Sequence, residues 1–175
     1  LKRDHAEAAR LLSMHGETKV RSPDLAPPLH EAITAHDPAL AIALVDAGHS
    51  LTALDDDGQS AWLLAIRFHE LALARALLDR GADPLARTAA GGTALHGAPV
   101  EAIPFLLEAG IPIDARDGAG RTALHAATSA AHVQTLIAAG ATLTAIDHGG
   151  LTALDLTLHE LRRPFAIAGA LLDAG

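Results

Sequence analysis

The sequence predicts an all-α fold, a solenoid of stacked helix-turn-helix units joined by β-hairpin-like fingers. Three observations lead there. Half of the 175 residues are apolar, yet only four are aromatic (Trp62, Phe68, Phe105 and Phe165), while alanine occurs 40 times. A core of Ala, Leu, Ile and Val suits closely spaced helices better than a sandwich of sheets. A large apolar residue recurs at Leu29, Trp62, Leu95, Leu124 and Leu154, spaced by 33, 33, 29 and 30. A Leu-rich segment ending in glycine follows each, closing at Gly48, Gly81, Gly110, Gly140 and Gly175, and the next Ser or Thr stands 12 residues beyond each internal glycine.

Each repeat then justifies its own elements. The segments Pro27-Pro28-Leu29-His30, Ser60-Ala61-Trp62-Leu63, Thr93-Ala94-Leu95-His96, Thr122-Ala123-Leu124-His125 and Thr152-Ala153-Leu154-Asp155 open an inner helix, with Ser or Thr as its cap. Small residues after the large apolar one let neighbouring helices approach. Glycine ends the outer helix in a left-handed conformation. The following 12 residues form an extended finger turning at Asp57-Gly58, Ala90-Gly91, Ala119-Gly120 and Gly149-Gly150. One such unit cannot bury its apolar face alone, so stability comes from stacking.

This motif resembles the ankyrin repeat, whose signature is Thr-Pro-Leu-His-x-Ala followed by Leu-Leu-x-x-Gly-Ala-Asp. The nearest local matches are Thr122-Ala-Leu-His-Ala-Ala127 and Leu77-Leu-Asp-Arg-Gly-Ala-Asp83. The resemblance covers nearly the whole chain, a partial repeat over 1–26 and five repeats over about 27–59, 60–92, 93–121, 122–151 and 152–175. Its Ala- and Leu-rich, asparagine-free composition points to a bacterial type. Repeats three and four lose four and three residues between their helices and repeat five gains two. Repeat three therefore has a shortened inner turn before Pro99 opens the outer helix, and Pro104 predicts a kink or a late start there.

Composition limits function. A formal net charge of −8 without any basic cluster opposes nucleic-acid binding. The absence of cysteine removes disulfides, thiolate metal sites and a cysteine nucleophile. No apolar run reaches the length of a membrane span, about 18 residues. The eleven histidines do not assemble a metal centre. His30, His96 and His125 share one repeat position, but successive layers lie about 8–10 Å apart against a zinc–nitrogen bond near 2 Å. The resemblance instead implies that this histidine bonds backbone near the adjacent finger. His69-Glu70 and His159-Glu160 lack the second histidine of a metalloprotease helix. No nucleophile elbow or phosphate-binding loop occurs. No catalytic residue, metal or cofactor is expected, and the chain is expected not to be an enzyme.

The resemblance implies a protein partner bound on the concave face of fingers and inner helices. Carried over position by position, it gives Thr34 in repeat one, Asp56, Asp57, Gln59, Arg67 and Phe68 in repeat two, Arg121 in repeat four, and His148 and His159 in repeat five. Phe68 beside Arg67 has the composition of an interface anchor, with core packing as the competing role. Asp55 reads as a structural residue of the finger. Asparagines that the family hydroxylates are replaced here by Thr52, Leu85, Asp114 and Thr144. Three functions stay open: a binding module, the repeat segment of a larger enzyme or toxin, and a dedicated inhibitor or immunity-type protein. A cytoplasmic location is expected. The stretch Phe165–Gly175 carries Asp173 as its only charge. This predicts that the chain continues past Gly175 or that another subunit or the partner covers the face. At the other end, Asp4 and Glu7 resemble a capping box.

Overall fold

A computed structural model describes residues 27–159 and 165–175. The expected amino-terminal cap at Asp4–Glu7 and the partial repeat before residue 27 lie outside the described residues. The chain divides into two compact units, 1–86 and 87–175.

In the first unit four helices alternate inner and outer: α1 (Pro28–Thr34), α2 (Pro38–Asp46), α3 (Ala61–Arg67) and α4 (Leu71–Asp79). Their starts follow from local chemistry. Pro28 and Pro38 sit in the first turns, where an amide hydrogen has no helical partner. Asp37 caps α2 by accepting the Leu40 amide at 2.9 Å, and Ser60 caps α3 through the Leu63 amide. α1 packs on α2 and α3, α2 on α4, and α3 on α4. Ala32, Ala41, Ala65 and Ala74 are buried at these crossings and hold the helices close, while Trp62, Leu44, Leu73 and Leu77 fill the space between. Arg80 pairs with Asp46 across the two outer helices, which lowers the carboxyl's pKa through the guanidinium hydrogen bond.

The second unit is shorter in its inner elements. Repeat three contributes a single 3-10 turn, Ala94–His96, then a second one, Val100–Ala102, that runs into α5 (Ile103–Glu108). Pro99 stands before that second turn and Pro104 in the first turn of α5, so the outer helix starts late as the prolines require. Thr122, expected to open an inner helix, opens a turn instead. The amides of His125, Ala126 and Ala127 reach back three residues rather than four, because the three missing residues leave no room for a helical turn to continue. The outer helix α6 (Ala130–Ala138) starts from Ser129, whose hydroxyl accepts the His132 amide. α7 (Ala153–His159) and α8 (Phe165–Ala174) complete the unit, with α8 packed on α6 and α7. Ile103, Leu106, Val133, Leu136 and Leu171 form its core.

The glycines behave as their spacing predicts. Gly48, Gly81, Gly110 and Gly140 end the outer helices at φ near +90° (94, 92, 89 and 92°), where a side chain is disfavoured. The described residues contain eight α-helices and no paired strands beyond an isolated antiparallel bridge between Leu54 and Ser60.

Candidate partner-binding surface

The fingers are built by one hydrogen-bond pattern. Asp55 accepts the Gln59 amide at 2.7 Å, Asp117 the Arg121 amide at 2.9 Å and Asp147 the Leu151 amide at 3.0 Å. Thr88 does the same for Gly92. At Asp147 the Leu151 amide first, then the Gly149 amide and the Arg121 charge, hold the carboxyl below its ordinary range against the opposing effect of burial. Asp55 thus has the structural role expected of it.

Histidine then ties the fingers ending at Gln59, Arg121 and Leu151 to the repeat before each. In repeat three the Thr93 amide donates to His96 Nδ1, so the proton sits on Nε2 and is donated to the Arg121 carbonyl at 2.9 Å. His125 repeats this with Thr122 and the Leu151 carbonyl. His30 donates from Nε2 to the Gln59 carbonyl at 3.0 Å. Its residue 27 is proline and has no amide hydrogen, which leaves His30 Nδ1 buried without a partner. Burial lowers the His30 pKa, against an upward pull from Gln59 and Asp55. In repeat five Asp155 replaces histidine and accepts from the Thr152 amide and hydroxyl. An ionised carboxylate has no proton to pass forward.

A second tie has no counterpart in the sequence reading. Arg87 donates to the carbonyls of Gly91 in its own finger and Arg116 in the next. Arg116 in turn reaches Gly120 at 2.7 Å and Ile146 at 2.6 Å. Backbone bonds run alongside, from Gly118 to Ala90 and from His148 to Ala119. A Cβ at Gly118 would lie 2.8 Å from the Ala90 oxygen, so only glycine lets these turns meet. The legible signal was an arginine six residues after Gly81 and again after Gly110.

Against this frame the nine candidate residues separate. Asp56 and Asp57 are exposed at the fingertip, whereas Gln59 is half-buried and gives its carbonyl to His30 and to the Asp55 amide. Arg121 is half-buried, with its Nε 3.7 Å from Asp147 and its carbonyl taken by His96. His148 is exposed, and its amide holds the preceding finger. Thr34 is exposed at the end of α1, its hydroxyl donating to the Glu31 carbonyl. His159 ends α7, and its side chain lies outside the described residues. Arg67 is exposed at the end of α3, and Phe68 behind it is half-buried. The Phe68 ring meets His36 edge-on, with centroids 5.5 Å apart, and His36 Nδ1 lies 3.1 Å from Glu70 Oε1. The structure therefore brings Thr34, Arg67 and Phe68 to the inner-helix ends of the first unit, and Asp56 and Asp57 to a fingertip.

Two histidines at this edge were not assigned to the partner surface from sequence. His36 (φ 55°) and His69 (φ 62°) occupy the left-handed region, one in each inner-to-outer connection. Among the described residues no group of three or more His, Cys, Asp or Glu side chains is placed to hold a metal ion. No described helix is long and apolar enough to cross a membrane.

Comparison with known proteins agrees with this architecture. A family described as ankyrin repeats in many copies matches residues 97–139. The human B-cell lymphoma 3 protein is 42% identical over 95 residues, covering 50% of this chain and 21% of that protein. The chain therefore spans about a fifth of that relative's length. With its repeat register, helix pairs and histidine-tied fingers, the chain carries ankyrin repeats.

Proposed function

We propose that this chain is a protein-binding module that grips its partner with the fingertips and inner-helix ends, without chemistry of its own. Ankyrin repeats are in general protein–protein interaction modules. The observation that carries the reading here is a division of labour. Main-chain carbonyls, histidines and arginines hold the fingers, while the side chains of Asp56, Asp57 and Arg67 are exposed and Phe68 is half-buried at the edge. Gln59, Arg121 and His148 contribute to the same face in this reading, as do Thr34 and His159. Affinity purification followed by mass spectrometry identifies the partner, and the purified pair then tests the surface. Phe68→Ala is expected to weaken binding by about 2 kcal/mol. Unchanged affinity per folded molecule, with folding weakened by several kcal/mol, would assign Phe68 to the core instead.

A second reading is supported by length. The matched relative is far longer than this chain, so these repeats can serve as the recognition segment of a larger protein whose activity, as an enzyme or toxin, lies elsewhere. A dedicated inhibitor is the remaining variant. It requires that the bound partner be an enzyme and that binding abolish its turnover. A cytoplasmic location and a bacterial type belong to this proposal as well. So does a contact, by further repeats or a partner, on the carboxyl-terminal face bearing Leu158, Phe165 and Leu172.

A further inference from the structure

We propose that the inner-helix edge of the first unit, Arg67-Phe68-His69 with His36 beside it, docks an acidic segment of the partner that also carries an apolar side chain. The inference rests on the partner-binding reading above and adds the partner's chemistry. Its first support is an uncommitted cation. Arg75, Arg80, Arg87, Arg116 and Arg121 all have a hydrogen bond, ion pair or electrostatic partner, whereas Arg67 has none among the described residues. The acid next along the chain, Glu70, is taken by His36, and Asp37 is taken by the Leu40 amide. Glu31, one turn back on α1, is exposed. A chain of net charge −8 thus presents a local cationic edge. A carboxylate matches the planar guanidinium fork of Arg67.

The second support is conformational. His36 and His69 both occupy left-handed backbone, which costs a residue with a side chain. His36 recovers that cost in its contacts with Phe68 and Glu70. His69 is exposed and its side chain makes no hydrogen bond, ion pair or ring contact among the described residues. An imidazole held in a costly conformation beside a free guanidinium and an aromatic ring is poised for an external acceptor. The half-buried Phe68 ring supplies the apolar contact. Charge complementarity at this edge sets which way the partner lies, because the fingertip of the same repeat carries Asp56 and Asp57 and repels the same acid.

The test is a titration of the isotopically labelled 175-residue chain with two synthetic dodecapeptides, one alternating glutamate and leucine, the other lysine and leucine, followed by amide NMR shifts. The glutamate peptide is expected to shift Arg67–Glu70 and Thr34–His36, and Arg67→Glu to weaken it about tenfold with the remaining spectrum unchanged. If only the lysine peptide moves these resonances, the acidic class is wrong while the docking edge stands. If neither peptide moves them, the docking edge falls too.

Discussion

Histidine shows how much a single position can carry in this fold. His30 and His132 are buried, and burial lowers the pKa of both, with Gln59 and Asp55 opposing it at His30 and Glu101 at His132. Both are therefore held neutral in the folded chain and protonate more readily when it unfolds. Their contribution is fully present above the unfolded value near 6.5 and is lost as pH falls below it. Thermal melts between pH 7.5 and 5 are expected to show falling stability, and His132→Leu to flatten that dependence. An unchanged slope in the variant would remove His132 from the account. Asp147 acts in the same direction at lower pH, its depressed carboxyl losing its contribution as pH drops through the acid range. His69 gives a second residue-level test. Its backbone is left-handed and its side chain makes no hydrogen bond, ion pair or ring contact among the described residues, so His69→Gly is expected to stabilise the chain by about 1 kcal/mol, read by urea unfolding. His36→Gly gains far less, because it forfeits the Phe68 and Glu70 contacts.

At the scale of the element, the finger is the part most dependent on groups outside itself. Each is closed by one side-chain acceptor and tied to its neighbour by histidine or arginine rather than by an extended ladder. Arg116→Ala removes donors to two carbonyls and is expected to cost about 1–2 kcal/mol, discounted for exposure. Hydrogen exchange at the turns around Gly120 and His148 should accelerate with it. A protection pattern identical to the parent would mean the backbone bonds alone suffice. These elements also mark where sequence was legible. The glycine positions, the Ser60 cap and the late helix after Pro99 and Pro104 could be read because each obeys a local steric or hydrogen-bonding rule. The loss of the helix after Thr122 could not, since its residues are good helix formers and only the missing length forbids the turn. The arginine ties and the histidine–phenylalanine contact join residues 29–32 apart in sequence, beyond any local pattern.

At the scale of the whole molecule, two compact units each carry their own buried core. Several large apolar side chains of the second are exposed. Leu158 stands at the same repeat position as Ile33 and Ile66, which are 0% and 2% exposed, yet it is 64% exposed. Phe165 is 95% and Leu172 62% exposed. Exposed apolar side chains of this size favour association. Phe165→Ser with Leu172→Glu is expected to lower light scattering at high protein concentration while leaving the melting temperature within about 2 °C, since neither side chain is in the core. A large drop in melting temperature would show that these residues support the fold itself.

The histidine and arginine ties have a consequence for how the protein is made. The side-chain ties that hold the fingers point one way along the chain: His30 to Gln59, Arg87 to Arg116, His96 to Arg121, Arg116 to Ile146 and His125 to Leu151, whereas Arg80 on the outer helices reaches back to Asp46. A repeat emerging from a ribosome therefore has its donors ready while their acceptors, 25–30 residues further along the chain, have still to emerge. At about 5–20 residues per second, each repeat waits roughly one to six seconds for the finger that completes it. During that interval its imidazole and guanidinium protons are bonded to water, and the arrival of the next finger closes the repeat behind it. Synthesis in the amino-to-carboxyl direction thus finishes the array in the order in which its ties point.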